Sequence, residues 1–196
     1  MLRRRAGPAA AAWQQPSSGG ISGSLFGPTF GLILSVYDPR QLTVAVQGNA
    51  QRLYLNLVQA QENANVTTLG GFMCHVGVTA GPGINGFGLF SLTGTLLANT
   101  GDMTTAFSSV SVGIEAAASI TSTPVTAGTY YYLGWVQNFT GTGMSLYGIQ
   151  NASGITLNGY NSQLIQLSGY TSWASVTIGS LYVDAGSSGA LHMHAR

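Results

Sequence analysis

The chain has 196 residues; 45% are hydrophobic and 6% are charged, where about 25% charged is usual for a soluble domain. That apolar content excludes a disordered chain, and the length allows one domain with a real core plus an arm or tail. There is no lysine and the formal net charge is +1, so the chain lacks the broad basic surface that phosphate binding needs.

So few charges do little to keep free monomers apart. The surface must be coated with Ser, Thr, Asn, Gln and Gly, or be buried against partners. Both readings fit a chain that lives in an assembly. The charge is also uneven. Arg3, Arg4 and Arg5 stand at the start, while from Ala6 to Ala195 two arginines face five acids, a net of −3. Three arginines are too few to carry nucleic-acid binding alone. Cys74 is the single cysteine, which rules out an intramolecular disulfide. In the alternating stretch FMCHVGV it reads as a buried small hydrophobe.

Residues 1–30 read as an extended N-terminal anchoring arm. Pro8, Pro16, Pro28 and the cluster Ser17-Ser18-Gly19-Gly20 forbid a long helix or central strand. Trp13, Leu25, Phe26 and Phe30 are its natural anchors, because exposed aromatics cost solubility unless docked. MLRRRAGPAAAAW has the basic end and alanines of a signal peptide, but Pro8 interrupts it. A secretory core needs roughly 7 to 15 strongly apolar residues. No run reaches the length of a membrane helix. The expectation is a soluble chain with no leader and no membrane contact.

Residues 31–185 carry short strand signals. Leu32 to Val36 is an apolar run stopped by Asp38-Pro39. Leu42 to Val46 alternates. Arg52 to Val58 alternates well, with Leu53, Leu55 and Leu57 on one face and Tyr54 and Asn56 on the other. Residues 59–65 hold the only helix-friendly polar piece, which is too short to matter. Leu69 to Thr79 puts Phe72, Cys74, Val76 and Val78 on one face, and Gly81-Pro82-Gly83 ends it. Phe87 to Phe90 and Thr95 to Ala98 form a hairpin through Thr93-Gly94. Val110 to Ala116 and Ile120 to Val125 are weaker, with Pro124 marking an edge. Thr129 to Val136 contains three consecutive tyrosines, so rings point to both faces. Both faces are covered, or the outer one is an interface. Met144 to Ile149 and Ser175 to Val183 complete the set. Residues 186–196 read as a Gly/Ser/His-rich tail. About eight to ten strands, turns roughly every 8 to 12 residues and no helix of normal length predict an all-β fold, a jelly-roll-like antiparallel β-sandwich.

The search for chemistry finds little. Asp38 and Asp102 sit in turns and are expected to bond their own backbone. Glu62, Glu115 and Asp184 lie on unrelated segments, with nothing to pair them into a glycosidase site. His75 adjoins Cys74, but neighbouring strand residues face opposite ways, so they form no metal pair. His192 and His194 fall on one side of an extended tail. A good metal site needs three or four ligands, so a solvated tail is the expectation; in a trimer, three tails would gather six histidines. The glycine-rich stretch from Gly81 to Gly88 lacks a P-loop lysine, and no Gly-x-Ser-x-Gly elbow is present. No catalytic residue, cofactor or metal is assigned. Tyr130, Tyr131, Tyr132, Trp135, Tyr147, Tyr160, Tyr170 and Trp173 could stack on sugars, but core and subunit contact is the favoured reading.

The stretches GFGLFSLTGTLLANTGDMTTAFSS (residues 86–109) and VTAGTYYYLGWVQNFTG (residues 125–141) resemble a β-sandwich module of tailed bacteriophages, especially those infecting actinobacteria. Such modules occur in minor tail proteins, tail fibres and related surface proteins. The resemblance covers about the middle half of the chain and rests on turns and core. Tail proteins of this type are usually much longer. Here the module stands behind a short arm, with no repeats or coiled-coil shaft. The resemblance therefore implies a non-enzymatic virion protein assembled in the host cytoplasm and carried on the virion surface. The first reading is a capsid decoration or minor capsid protein, a homotrimer gripping the major capsid protein or other virion proteins through its arm. The alternative is a minor tail or tail-fibre-type protein binding host-surface glycans. Arg3, Arg4, Arg5, Trp13, Phe26, Phe30, Tyr130 and Tyr132 are the candidate partner-binding residues.

Overall fold

A computed structural model describes residues 33–35, 44–75, 84–109, 112–139, 143–149, 156–157, 160–161, 165–178, 182–183, 190–191 and 193–196. The described residues are built mainly from antiparallel strands in two large sheets. In chain order these are β1 (Leu34–Ser35), β2 (Val44–Gln47), β3 (Arg52–Gln59), β4 (Ala64–His75), β5 (Gly86–Ser91) and β6 (Leu96–Asn99). The short helix α1 (Thr104–Ser109) follows. Then come β7 (Glu115–Val125), β8 (Tyr130–Gln137), β9 (Ser145–Ile149), β10 (Thr156–Leu157), β11 (Tyr160–Asn161) and β12 (Ile165–Ser168). β13 (Tyr182–Val183), β14 (Ala190–Leu191) and β15 (Met193–Ala195) complete the order.

One sheet runs β1-β15-β4-β9-β14, with β7 on the other edge of β4 and β2 joined to β9. The second runs β13-β12-β3-β8-β5-β6. β10 and β11 form a separate pair. Alternation in the sequence explains how the sheets meet. Tyr54 and Val58 of β3, Phe87 and Leu89 of β5, and Tyr131, Leu133 and Trp135 of β8 turn to one side. There they join Leu34, Val66, Leu69, Met73, Leu146, Met193 and Ala195 of the first sheet in a single buried cluster. Tyr54 and Trp135 stack with ring centroids 5.3 Å apart. Burial of each such side chain is worth about 1.5–3 kcal/mol, so this cluster dominates the stability of the fold.

The opposite residues of the same strands form a second cluster: Leu53, Leu55 and Leu57, Phe90, Tyr132 and Val136, with Tyr170. Both faces of the six-stranded sheet are thus apolar and both are covered. The cover is the chain's own segment 169–178, on which Trp173, Val176 and Ile178 pack against this cluster.

Several expectations are corrected. β7 is one strand from Glu115 to Val125, and 112–114 is an exposed turn. Pro124 does lie on an edge strand, because β7 pairs with β4 alone among the described strands. Residues 60–63 link β3 to β4, which begins at Ala64. Ser175 to Ile178 lies outside any strand, whereas Ile165–Ser168, which carried no signal, pairs with β3. The expected tail at 186–196 contributes β14 and β15, and β15 sits between β1 and β4. Tertiary pairing decides these short pieces, where local propensity is weak. The arm expected at 1–30 lies outside the described residues.

Candidate interaction surfaces

The outer face of the first sheet carries an ionic cluster that spacing alone did not suggest. His194 of β15 stands opposite Gly70 of β4, and Glu115 of β7 stands opposite Phe72, two residues further along β4. Gly70 lets β7 lie close against β4, since an added Cβ would come within 2.7 Å of the Ala117 Cβ. His194 Nε2 lies 2.7 Å from Glu115 Oε1, and Arg196 Nη2 donates to Glu115 Oε2 at 2.7 Å. The Phe72 ring tilts over the imidazole at 5.7 Å. The His194 side chain is 0% exposed, against 22% for Glu115 and 40% for Arg196. The hydrogen bond from His194 holds the Glu115 carboxyl down at about 2, outweighing the opposing effect of burial; the charge of His194 and the Arg196 contact add to it. Arg196 is itself pinned, since its carbonyl accepts from Thr67 N at 2.6 Å and Thr68 N at 2.9 Å. Two donors on one acceptor mark a bulge in β4.

A histidine–carboxylate pair supplies two of the three members of a nucleophilic triad. Here the imidazole is sealed from solvent and both carboxylate oxygens are engaged. The arrangement ties the C-terminal strand to β7 across β4.

On the second sheet, the tyrosine strand is sealed by the 169–178 segment. Tyr132 is 3% exposed, so its ring fills the second cluster and is withdrawn from the candidate partner surface; Tyr131 faces the first cluster, and Tyr130 is half-buried. The Tyr170 hydroxyl donates to Ala174 O at 2.6 Å and accepts from Ala174 N at 2.8 Å, folding the segment on itself. Val176 N donates to Gly94 O at 2.8 Å, and Leu96 N donates to Ser175 Oγ at 3.0 Å. Trp173 lies on Gly88, where an added Cβ would come within 2.7 Å of the indole. Gly94, at φ +90°, makes the tight turn under Val176.

One end of the domain is closed by buried amides. Gln137 accepts from Met144 N at 2.7 Å and donates to Met144 O at 3.1 Å, imitating a strand partner. Asn85 accepts from Asn138 N at 2.7 Å and donates to Thr104 Oγ1 at 2.8 Å. Asp102 behaves as the sequence implied: Oδ1 accepts from Thr104 N at 3.1 Å and from its hydroxyl at 2.7 Å.

Arg3, Arg4, Arg5, Trp13, Phe26, Phe30, Asp38, Asp184 and His192 lie outside the described residues. Cys74 is half-buried and belongs to neither buried cluster. His194 leaves the expected tail for the interior of a sheet. The sequence signal for it was the alternation of Leu191, Met193 and Ala195 with the polar residues between them. Among the described residues, no group of three or more His, Cys, Asp or Glu could hold a metal, and no helix is long and apolar enough to cross a membrane. No protein-family model matches the chain, and no curated protein matches it.

Proposed function

We propose that the chain is a non-enzymatic structural protein of a bacteriophage virion, a jelly-roll sandwich used as a surface knob. The observation that carries this reading is strand order. With β2, β9, β12, β13 and β14 set aside as additions at the sheet ends, and β1, β3, β4, β5, β6, β7, β8 and β15 numbered one to eight, the two sheets read 1-8-3-6 and 2-7-4-5. We read that order as the double Greek-key winding of a jelly roll, an architecture used by viral capsid and lectin domains. The space between the sheets is filled by Trp135, Tyr54 and Phe87, which favours a rigid block over a ligand barrel.

Within that reading the protein decorates the capsid as a homotrimer, with residues 1–30 gripping the major capsid protein. Arg3, Arg4 and Arg5 suit acidic patches on the shell, since guanidinium forks match carboxylates. The glycan-binding alternative draws less support, because Tyr131, Tyr132, Trp135 and Tyr170 are spent on the two clusters. Deleting residues 2–30 tests the proposal. A folded trimer that no longer enters particles is expected; unchanged copy number in particles contradicts it.

A further inference from the structure

The first sheet is closed by its last-made strand. β15 lies between β1 and β4, and among the described strands β1 pairs with β15 alone. Leu34 stands opposite Ala195 and Ser35 opposite His194, and Ile33 N donates to Ala195 O at 2.8 Å. On its other side β15 faces Leu69, Gly70 and Gly71 of β4. His194 and Ala195 are therefore paired on both sides at once. Arg196 N donates to Thr68 O at 3.0 Å, while the Arg196 carbonyl accepts from Thr67 N and Thr68 N. Met193 and Ala195 belong to the same buried cluster as Leu34 and Leu69. The central ladder of the second sheet has no such dependence. There β3, β8, β5 and β6 pair with one another within residues 52–137.

We propose that residues 193–196 gate folding: the two-sheet core stays open, with β1 unattached, until this segment has left the ribosome and entered the gap between β1 and β4. A chain is made from its N-terminus, and early segments ordinarily fold as they emerge. β1 is made early, yet the strand that holds it is made late. Joining the two closes a loop over nearly the whole domain, and the entropy lost is offset only by contacts that β15 completes. Until then the facing edges of β1 and β4 are open, and open edges invite pairing with other chains. The gate concerns the order of folding and holds whatever the finished chain assembles with.

Stalled nascent chains test this. The full chain is followed by a Gly/Ser linker of varied length and a translational arrest sequence, and chymotrypsin cleavage of the ribosome-bound protein is timed. Cleavage should slow about 10-fold or more over the linker lengths that bring residues 193–196 out of the exit tunnel. Protection already complete with 169–178 outside and 193–196 still inside overturns the gate, as does a cleavage rate that never changes with length. At the longest linker, Met193→Glu/Ala195→Glu should be cleaved as fast as the short-linker wild type. A variant as resistant as the long-linker wild type also overturns it.

Discussion

His194 of β15 meets Glu115 of β7 across β4, 2.7 Å apart, where the two strands pair with Gly70 and Phe72. The contact binds the C-terminal strand to an edge of the sheet and gives the fold a defined response to acid. Glu115 is lowered from 4.5 to about 2, first by the His194 hydrogen bond. A carboxyl with a depressed folded-state pKa adds stability that is complete above about pH 4.5 and disappears as pH falls through 2. Screening of the part-exposed group limits the contribution to about 1–2 kcal/mol. Urea unfolding at pH 7 and pH 3 should show wild type losing more stability than Glu115→Gln over that interval. Equal losses would contradict the assignment.

Residues 193–196 should be indispensable. Removing them takes a strand from between β1 and β4, strips Met193 and Ala195 from the first cluster and leaves Thr67 N and Thr68 N without the Arg196 carbonyl. Lost burial and orphaned donors together amount to about 5 kcal/mol or more, as much as many whole domains possess. The truncated chain should lack a cooperative thermal transition. A transition within a few degrees of wild type would mean that these residues behave as a tail.

The segment over the tyrosine strand depends on two glycines. Gly94→Ala should cost about 2–4 kcal/mol, since the backbone at φ +90° and the Val176 carbonyl both oppose a Cβ. Gly88→Val should lift Trp173 from its seat, shifting its fluorescence to longer wavelength while the first cluster stays intact. Unchanged emission would contradict the packing.

Gln137→Ala should cost about 1–3 kcal/mol by leaving Met144 N buried without its partner, while Met144 O keeps the Gly48 N donor at 3.3 Å. Gln137→Glu should be no better at neutral pH, because the carboxylate cannot donate to the Met144 carbonyl. Denaturant unfolding measures both; a Glu variant as stable as wild type would contradict the geometry.

Much of the fold was legible because alternation is a direct record of two-faced burial. Arg52 to Val58 divides Leu53, Leu55 and Leu57 from Tyr54, as the period-2 rule requires. Thr93-Gly94 is a tight turn, with Gly94 N donating to Ser91 O. The ionic cluster was not legible, because Glu115 and His194 are 79 residues apart and meet only through the pairing of both strands with β4. The fate of Tyr132 was open for a similar reason. The ring direction follows from the strand, but its cover comes from a segment of mixed Ser, Thr and Ala with no regular pattern. β15 escaped notice because its three residues form a strand only between two partners already in place.

The central claim is that this chain is a structural component of a virus particle. Cryo-EM of purified particles, with the protein identified by mass spectrometry, tests it most directly. The account predicts a three-fold knob on the capsid surface into which this two-sheet domain fits, with its N-terminal residues leading into the shell. Particles that lack the protein, or that carry it only at the tail tip bound to host glycan, would contradict it.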